Sequence, residues 1–314
     1  RDDVESRGLG DVYKRQIQSR MKSIQDTMKI TNAMYMISST KLRKAKKSLE
    51  ETEPYFNALR NMVSRVVRHL PDVENQYMDV RPNKAPEDRI KGFIVVTADK
   101  GLAGAYNHNV LKKAMEEIEQ CKNYKLFVVG ELGRQYFKKK NIPVSEQFHY
   151  TAQNPSLHRA RIICEEVVEQ FKEGELDEVY VIYTYMKSSI TTEVDMINLL
   201  PITRDMAMQH EMERQGVFNE EIELQPSPNA LLNNIVPDVI MGYIYGALME
   251  SFCSEQNARM SAMQVANDSA ADMIRNLSIE YNRARQSMIT QEITEVIAGA
   301  KAQKKKKKAR KEVM

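Results

Sequence analysis

The sequence has few of the residues that interrupt helices. Its 314 residues include only 12 glycines and 10 prolines, although the usual shares of roughly 7% and 5% would give more of each. Two long segments, residues 11–53 and 247–298, contain neither residue type. Because glycine and proline mark turns and helix ends, their absence predicts a long helix near each end of the chain, with a turn-rich region between them.

Residues that carry chemistry are also scarce. The three cysteines, Cys121, Cys164 and Cys253, lie far apart without Cys-x-x-Cys spacing, which predicts a reducing compartment and no disulfide framework. The five histidines form no His-Glu-x-x-His motif, and no Gly-x-Ser-x-Gly or Walker-type motif occurs. The sequence therefore predicts no catalytic residues, no metal ligands and no bound cofactor.

Long apolar runs are missing as well. The longest uncharged apolar stretch, residues 239–249, is much shorter than the roughly 20 residues that a membrane-spanning helix needs. The charged first residues lack the apolar core of a signal peptide. These features predict a soluble protein on the cytoplasmic side of the membrane.

The positive charge is concentrated in one segment. The net charge is only +3, but residues 14–47 carry ten cations and a single acid, Asp26. Such a helix has either a solvated face or an acidic partner. Nucleic-acid binding through this helix and the lysine run at 304–308 is the less favoured interpretation, because no base-stacking aromatic residues are interleaved with the cations.

Both glycine-free segments carry the seam of a coiled coil. Alternating steps of four and three residues select, in the first segment, Ile17, Met21, Ile24, Met28, Thr31, Tyr35, Ser38, Leu42, Ala45 and Leu49. In the second segment they select Met249, Cys253, Gln256, Met260, Met263, Asn267, Ala270, Ile274, Leu277, Tyr281, Ala284, Met288 and Gln291. Apolar residues at a mean spacing of about 3.5 make two helices pack along a shared seam. The pattern predicts an antiparallel two-helix coiled coil, with an ordinary helical bundle as the alternative.

Prolines mark the expected helix boundaries. Pro54 is expected to end or kink the first helix, because proline removes a helix hydrogen bond and clashes with the preceding turn. Ser227 followed by Pro228 is expected to cap and begin the second helix, with Pro237 as a candidate kink.

The middle region alternates strands and helices. The β-rich runs are residues 92–97, 125–129, 179–185 and 194–199, and helical stretches at 107–120, 133–140 and 156–172 separate the first three. This order predicts an α/β fold with a largely parallel, Rossmann-like sheet. Turns at 99–104 and 130–133 follow two of the strands, but neither matches a phosphate-binding motif.

Several segments resemble one known family. Residues 17–34 and 38–43 are similar to the amino-terminal helix of the gamma subunit of bacterial-type F-type ATP synthases, and residues 254–263 and 280–300 resemble its carboxy-terminal helix and signature. The turn at 97–107 also resembles that family, and the resemblance covers about residues 17–303. It implies an antiparallel two-helix coiled coil, formed by the N- and C-terminal helices, plus a central Rossmann-like α/β domain.

The resemblance implies a function as well. A member of this family would be the central rotor shaft, coupling ion-driven rotation of the membrane c-ring to ATP synthesis on the beta subunits of an alpha3beta3 ring. Its partners would be the alpha, beta and epsilon subunits and the c-ring, without nucleic acid, cofactor or catalysis of its own. It would be peripheral to the cytoplasmic face of the bacterial plasma membrane. The alternative is a nucleotide-dependent enzyme that uses the central α/β domain.

The predicted organisation has five parts. They are a non-native or disordered leader at 1–16, an N-terminal coiled-coil helix at 17–75, a Rossmann-like α/β domain at 76–225, a C-terminal coiled-coil helix at 226–303 and a basic disordered tail at 304–314. The leader and the tail are the parts that do not resemble the family.

Two groups of residues are predicted to contact partners. The first group is basic and meets acidic loops of the beta subunits, unless it is only a solvated face: Lys29, Lys41, Arg43 and Lys44. The resemblance marks the second group as contacts with the surrounding bearing: Met34, Arg259, Gln286, Thr290 and Glu292. Gln286 and Thr290 are neighbours at i and i+4 on a helix, so they are expected to form one polar patch.

Overall fold

Two long helices begin and end the described chain. The computed structural model describes residues 2–69, 74–146, 148–188, 191–203 and 225–311, with side chains described from residue 12 to residue 304 within those ranges. Helix α1 spans Asp2–His69. The last helix, α5, spans Pro228–Lys311. Among the described residues, no helix has an apolar window long enough to cross a membrane.

The remaining elements lie between these two helices. A short 3-10 helix at Gln76–Met78 precedes the strands β1 (Ile90–Val96), β2 (Asn123–Val129), β3 (Glu178–Met186) and β4 (Thr192–Leu200). The intervening helices are α2 (Tyr106–Glu119), α3 (Glu131–Lys139) and α4 (Leu157–Lys172). The four strands and three helices that the structure describes between α1 and α5 lie where the sequence predicts them.

The contacts divide the chain into two compact units. The first, here called the coil unit, contains the residues up to Tyr35 and those from Met263 onward. The second, the sheet unit, is Met36–Ala262. Both α1 and α5 therefore contribute to each unit. The predicted organisation assigns residues 17–75 and 226–303 wholly to the coiled coil, whereas parts of both ranges belong to the sheet unit.

In the coil unit, α1 and α5 pack along the predicted seam. All described seam positions of this unit are buried or half-buried: Ile17, Met21, Ile24, Met28, Thr31 and Tyr35 of α1, and Met263, Asn267, Ala270, Ile274, Leu277, Tyr281, Ala284, Met288 and Gln291 of α5. Asn267 contacts Thr31 and Asn32, whereas Tyr281 shares a groove with Gln18 and Met21. The α5 numbers rise as the α1 numbers fall, so the predicted antiparallel coiled coil is confirmed.

The sheet unit is built on one mixed sheet with the strand order β2-β1-β3-β4. Strand β1 is parallel to β2 and to β3, and β3 is antiparallel to β4. Helices α2 and α3 pack on one face, over Phe93, Val95 and Leu126. Helix α4 packs on the other face together with α1 and α5, whose seam residues Ala45 and Met249 join that core.

The helix ends differ from expectation at three places. Ser227 caps α5 as predicted, because its hydroxyl accepts a hydrogen bond from Ala230 N at 3.2 Å. Pro54 does not end α1, because the helix continues to His69 and packing of Phe56 in the same core holds it beyond the proline. The kink that is the other expectation at Pro54 stays a prediction. The backbone is also helical from Asp2 and as far as Lys311, where a disordered leader and tail are predicted. Within the lysine run, the side chains after Lys304 lie outside the described residues.

Candidate functional site

The carboxyl edge of the parallel strands carries the two glycine-containing turns. In open α/β sheets this edge is the usual place for a ligand. Here Asp99 fills it: its Oδ1 accepts a hydrogen bond from Glu131 N at 3.0 Å, at the first residue of α3. The other carboxylate oxygen accepts from the Thr151 hydroxyl and from Gln153 N. A carboxylate of the chain therefore occupies the helix N-terminus that a phosphate would need.

Helix α5 holds the turn that follows β1. Arg259 Nη2 donates hydrogen bonds to the carbonyl oxygens of Lys100 and Gly101, both at 3.1 Å. Its Nη1 lies 2.7 Å from Glu255 Oε1, and the two side chains are only 10% and 5% exposed. Burial raises the pKa of Glu255, and the charge and hydrogen bond of Arg259 act against that rise. The two hydrogen bonds from Arg259 thus attach the turn to α5, and the ion pair with Glu255 holds the guanidinium from the same helix.

Apolar contacts and further hydrogen bonds support both ends of this turn. Ala98, Ala103 and Tyr106 form a small buried cluster, with Ala258 of α5 packed against it. The amide of Ala98 donates to Asn107 Oδ1 at 2.8 Å. Burial raises the pKa of the Tyr106 phenol further above neutral pH.

The tip of the turn presents an exposed apolar side chain. Leu102 is 65% exposed and has a φ of 62°, in the left-handed region that non-glycine residues rarely adopt. Such a conformation costs on the order of 1–3 kcal/mol and persists only where the surroundings enforce it. The turn therefore holds Leu102 outward in a strained conformation.

The predicted basic contact residues lie on α1. Lys29 is exposed and pairs with Asp26 on its own helix, with 2.9 Å between Nζ and Oδ1. The hydrogen bond and charge of Lys29 lower the pKa of Asp26. Arg43 and Lys44 are exposed, and Lys41 is half-buried. These cations are placed where a partner can reach them, apart from the partly covered Lys41.

The predicted contacts near the chain end lie on one exposed part of α5. Gln286, Thr290 and Glu292 are all exposed. The Thr290 hydroxyl donates to the Gln286 carbonyl oxygen at 2.9 Å, so these two residues are neighbours on one face, as their spacing predicts. On α1, Met34 is half-buried.

Exposed apolar side chains accompany these residues in the coil unit. On α1, Ile30 is 63% exposed, and on α5 the described tip exposes Ile289, Ile293, Val296 and Ile297. A surface helix normally carries polar residues away from its seam. Apolar groups that are exposed together indicate a surface that meets other proteins.

Arg259 is the least exposed of the predicted contact residues, and its contact with the bearing stays a prediction. The sequence analysis expects it to contact the surrounding bearing, but its guanidinium points into the sheet unit and is almost fully buried. The sequence analysis does not single out its partner Glu255, and it names the turn at 99–104 only as a turn without a phosphate-binding motif and as part of the resemblance at 97–107. Two signals were available, namely the i, i+4 spacing of Glu255 and Arg259 and the glycines of the turn.

The described residues offer little for nucleotide or metal chemistry. No group of three or more histidine, cysteine or acidic side chains among them is arranged to hold a metal. A cavity of about 420 Å³ lies between α1, α5 and the strands β3 and β4, with Phe56 and Tyr243 among its lining residues. Two carboxylates, Glu53 and Glu250, and one cation, Arg60, also line it, so the lining has no excess of positive charge that would favour a phosphate group there.

These features define a class of protein: a coiled-coil shaft, formed by the two ends of the chain, combined with a Rossmann-like domain whose ligand edge is closed by its own side chains. Comparison with known proteins agrees with this class. A family model described as ATP synthase matches residues 14–303, which excludes most of the predicted leader and the whole predicted tail.

Curated relatives identify the family. The chain is 44% identical over 292 residues to the ATP synthase gamma chain of Acetivibrio thermocellus, covering 92% of this chain and 98% of the relative. It is 36% identical over 298 residues to the sodium ion specific ATP synthase gamma chain of Acetobacterium woodii, covering 91% and 97%. The chain therefore belongs to the ATP synthase gamma-chain family.

Solved structures have the same fold. The chain matches a chain in the central stalk and c-ring structure of the Tetrahymena thermophila mitochondrial ATP synthase, with a TM-score of 0.55 and 24% identity, covering 76% of this chain and 99% of that one. It also matches a chain in the rotor of the Euglena gracilis mitochondrial ATP synthase, with a TM-score of 0.57 and 16% identity, covering 89% and 99%.

Proposed function

We propose that this chain is the rotor shaft of a bacterial ATP synthase and couples ion-driven rotation of the c-ring to ATP synthesis on the beta subunits. The observation that carries the proposal is the antiparallel coiled coil, with a seam that is covered at every described position. Helices α1 and α5 each continue without a break from this coil into the sheet unit. Continuous paired helices resist twisting, which is what transmission of torque requires.

We infer that the chain itself is not catalytic. The Asp99 carboxylate and the Arg259 guanidinium fill the sheet edge where an α/β enzyme would bind its nucleotide. ATP chemistry would then take place on the beta subunits, and this chain would supply only motion. Titration of the isolated chain with ATP or NAD tests the alternative, because saturable binding would favour a nucleotide-dependent enzyme.

The proposed partners are the alpha and beta subunits, epsilon and the c-ring, and attachment to the c-ring would place the chain at the cytoplasmic face of the plasma membrane. Gln286, Thr290 and Glu292 would form a polar contact with the surrounding subunits. The exposed apolar groups of the α5 tip would slide against an apolar bearing. Met34 suits a moving contact, because methionine is unbranched and adapts to changing neighbours.

The basic residues of α1 would meet acidic loops of the beta subunits. Single exposed ion pairs contribute only about 0–1 kcal/mol, so the effect is expected to be collective. We expect Lys41→Gln, Arg43→Gln and Lys44→Gln together to weaken co-purification of the full chain with alpha and beta subunits, more strongly at low salt than at high salt.

The matched control changes Lys138, Lys139 and Lys140, three exposed lysines at the end of α3, to glutamine. It removes the same charge and should leave assembly unchanged. Unaltered assembly of the α1 variant at low salt would show that these cations form only a solvated face. Failure of the wild-type chain to co-purify with alpha and beta subunits would contradict the rotor function itself.

A further inference from the structure

We propose that Glu255 and Arg259 position the turn at residues 99–104, so that Leu102 is fixed relative to α5, and that Arg259 influences coupling through this turn. On this view Arg259 is a positioning residue, without contact of its own to the surrounding subunits. The effect on coupling rests on the proposed rotor function, whereas the effect on the turn does not.

The geometry of the guanidinium carries the first step. One Arg259 side chain donates to two successive carbonyl oxygens of the turn, at 3.1 Å each, while its other terminal nitrogen pairs with Glu255 at 2.7 Å. Only a planar fork with several donors can make these three contacts at once, and an ammonium group cannot reproduce them. We call these three contacts of Arg259 the clamp. Arg259→Lys should therefore keep the positive charge and lose the clamp.

The charges around the Glu255–Arg259 ion pair also support a positioning role for Arg259. Glu255 is almost fully buried, burial raises its pKa, and Asp99 raises it further, while Arg259 and Lys41 lower it. Without Arg259, Glu255 would lose the charge and the hydrogen bond that lower its pKa. A buried carboxyl without a cation takes up a proton instead of staying charged. Loss of Arg259 should therefore release the turn and leave Glu255 protonated.

The conformation of Leu102 carries the third step. Its left-handed backbone would be adopted more readily by glycine or asparagine, and its side chain is 65% exposed, so neither backbone geometry nor core packing accounts for a leucine here. A strained, exposed apolar side chain that is held by buried ionic groups fits a contact made outside the chain.

Amide hydrogen exchange on the full chain tests the clamp directly. The amides of Ala98, Tyr106 and Leu132 report on the turn, because each donates a hydrogen bond to a residue in or beside it. In Arg259→Lys we expect these three amides to exchange roughly tenfold faster or more, as local opening becomes easier. The control is Arg275→Lys, at an exposed arginine further along α5, which should change none of them. Unchanged exchange in Arg259→Lys would overturn the proposal.

A double-mutant cycle in the assembled complex tests the route to coupling. The measured quantity is the number of ions pumped per ATP hydrolysed, for Arg259→Lys, Leu102→Asn and the double variant. Asparagine tolerates the left-handed backbone and removes the apolar side chain. If Arg259 acts through the turn, the double variant should be no worse than the poorer single variant.

Failure of the proposed action of Arg259 through the turn and failure of the proposed rotor function give different results. Independent effects that multiply in the double variant would mean that Arg259 acts on coupling without Leu102, which contradicts the proposal. A wild-type complex that pumps no ions would contradict the rotor function, and hydrogen exchange alone would then decide whether the clamp exists.

Discussion

The coil unit and the sheet unit bury the same two helices to different extents. In the coil unit most described seam residues are half-buried, and the buried ones are Ile17, Met263, Asn267 and Ala270. In the sheet unit, Val67, Ile240 and many others are at most 1% exposed. A two-helix pair covers one stripe of each helix, whereas a helix placed between another helix and a sheet is covered on a wider face. The coil should therefore open locally at a lower free energy than the sheet unit.

The two units also use polar groups differently. In the coil unit, Asn267 lies in the seam and is hydrogen-bonded to Thr31 and Asn32 of the facing helix. In the sheet unit, the fully buried carboxylate of Asp177 accepts hydrogen bonds from Lys84 Nζ at 2.8 Å and from Ile90 N at 2.8 Å. The first arrangement sets the register of two helices, and the second ties the segment before β1 to the sheet.

The largest expected change in the free energy of unfolding is at Asp177. Asp177→Asn removes the buried charge that pairs with Lys84 and Arg81 and weakens the hydrogen bonds from Lys84 and Ile90, and hydrogen bonds to a charged group contribute about 1.5–3 kcal/mol each. Denaturant unfolding at neutral pH measures the loss in free energy of unfolding. Glu175→Gln is the control, because its ion pair with Lys125 is about half exposed and contributes little. Equal losses in the two variants would contradict the difference between buried and exposed pairs.

The pH dependence of stability tests the contribution of the buried Asp177 carboxylate in a second way. Burial acts to raise the pKa of Asp177, but the hydrogen bonds from Lys84 and Ile90 and the charges of Lys84 and Arg81 hold it below the ordinary value of 3.8. The stabilisation from Asp177 is therefore fully present above that value and is lost as the pH falls through the lower folded-state pKa. The Asp177→Asn variant should lack this part of the acid destabilisation, as unfolding curves between neutral and acid pH can show.

Intermediate changes in stability are expected when two glycines, one turn apart on α5 in the sheet unit, are replaced by alanine. A Cβ at Gly242 would lie 2.3 Å from Phe56 Cδ1, whereas a Cβ at Gly246 would meet nothing within 4 Å. We expect Gly242→Ala to destabilise the chain by about 2 kcal/mol through overpacking. Gly246→Ala should stabilise it by up to about 1 kcal/mol, because alanine favours the helix. Thermal unfolding distinguishes the two, and shifts of the same sign would refute the packing described here.

The sequence predicts some of these features and not others, for physical reasons. The seam and the strands are visible because apolar residues repeat with the period of each element. The continuation of α1 through Pro54 depends on packing of Phe56 in a core assembled from distant segments, which local pattern does not contain. The inward direction of Arg259 likewise depends on where the 99–104 turn lies in the fold. The remaining partner contacts, such as Gln286 and Glu292, stay predictions.

The smallest effect on stability is expected at Asn267 in the coil unit. Asn267→Leu should leave stability unchanged or raise it by about 1 kcal/mol, because a polar seam residue lowers coiled-coil stability in exchange for a fixed register. No buried partner is left unsatisfied, since the Thr31 hydroxyl also bonds to Thr27 and Met28 carbonyls and Asn32 is exposed. Asn267→Leu should instead make the register of α1 against α5 less well defined.

Spin labels at two exposed positions, Lys22 on α1 and Arg275 on α5, would measure that register as a distribution of distances across the coil. We expect a broader distribution in Asn267→Leu than in the wild-type chain. Asn276→Leu makes the same substitution at an exposed position of α5 and should leave the distribution narrow. A narrow distribution in Asn267→Leu as well would mean that the apolar seam alone fixes the register, and that the polar contact has another role.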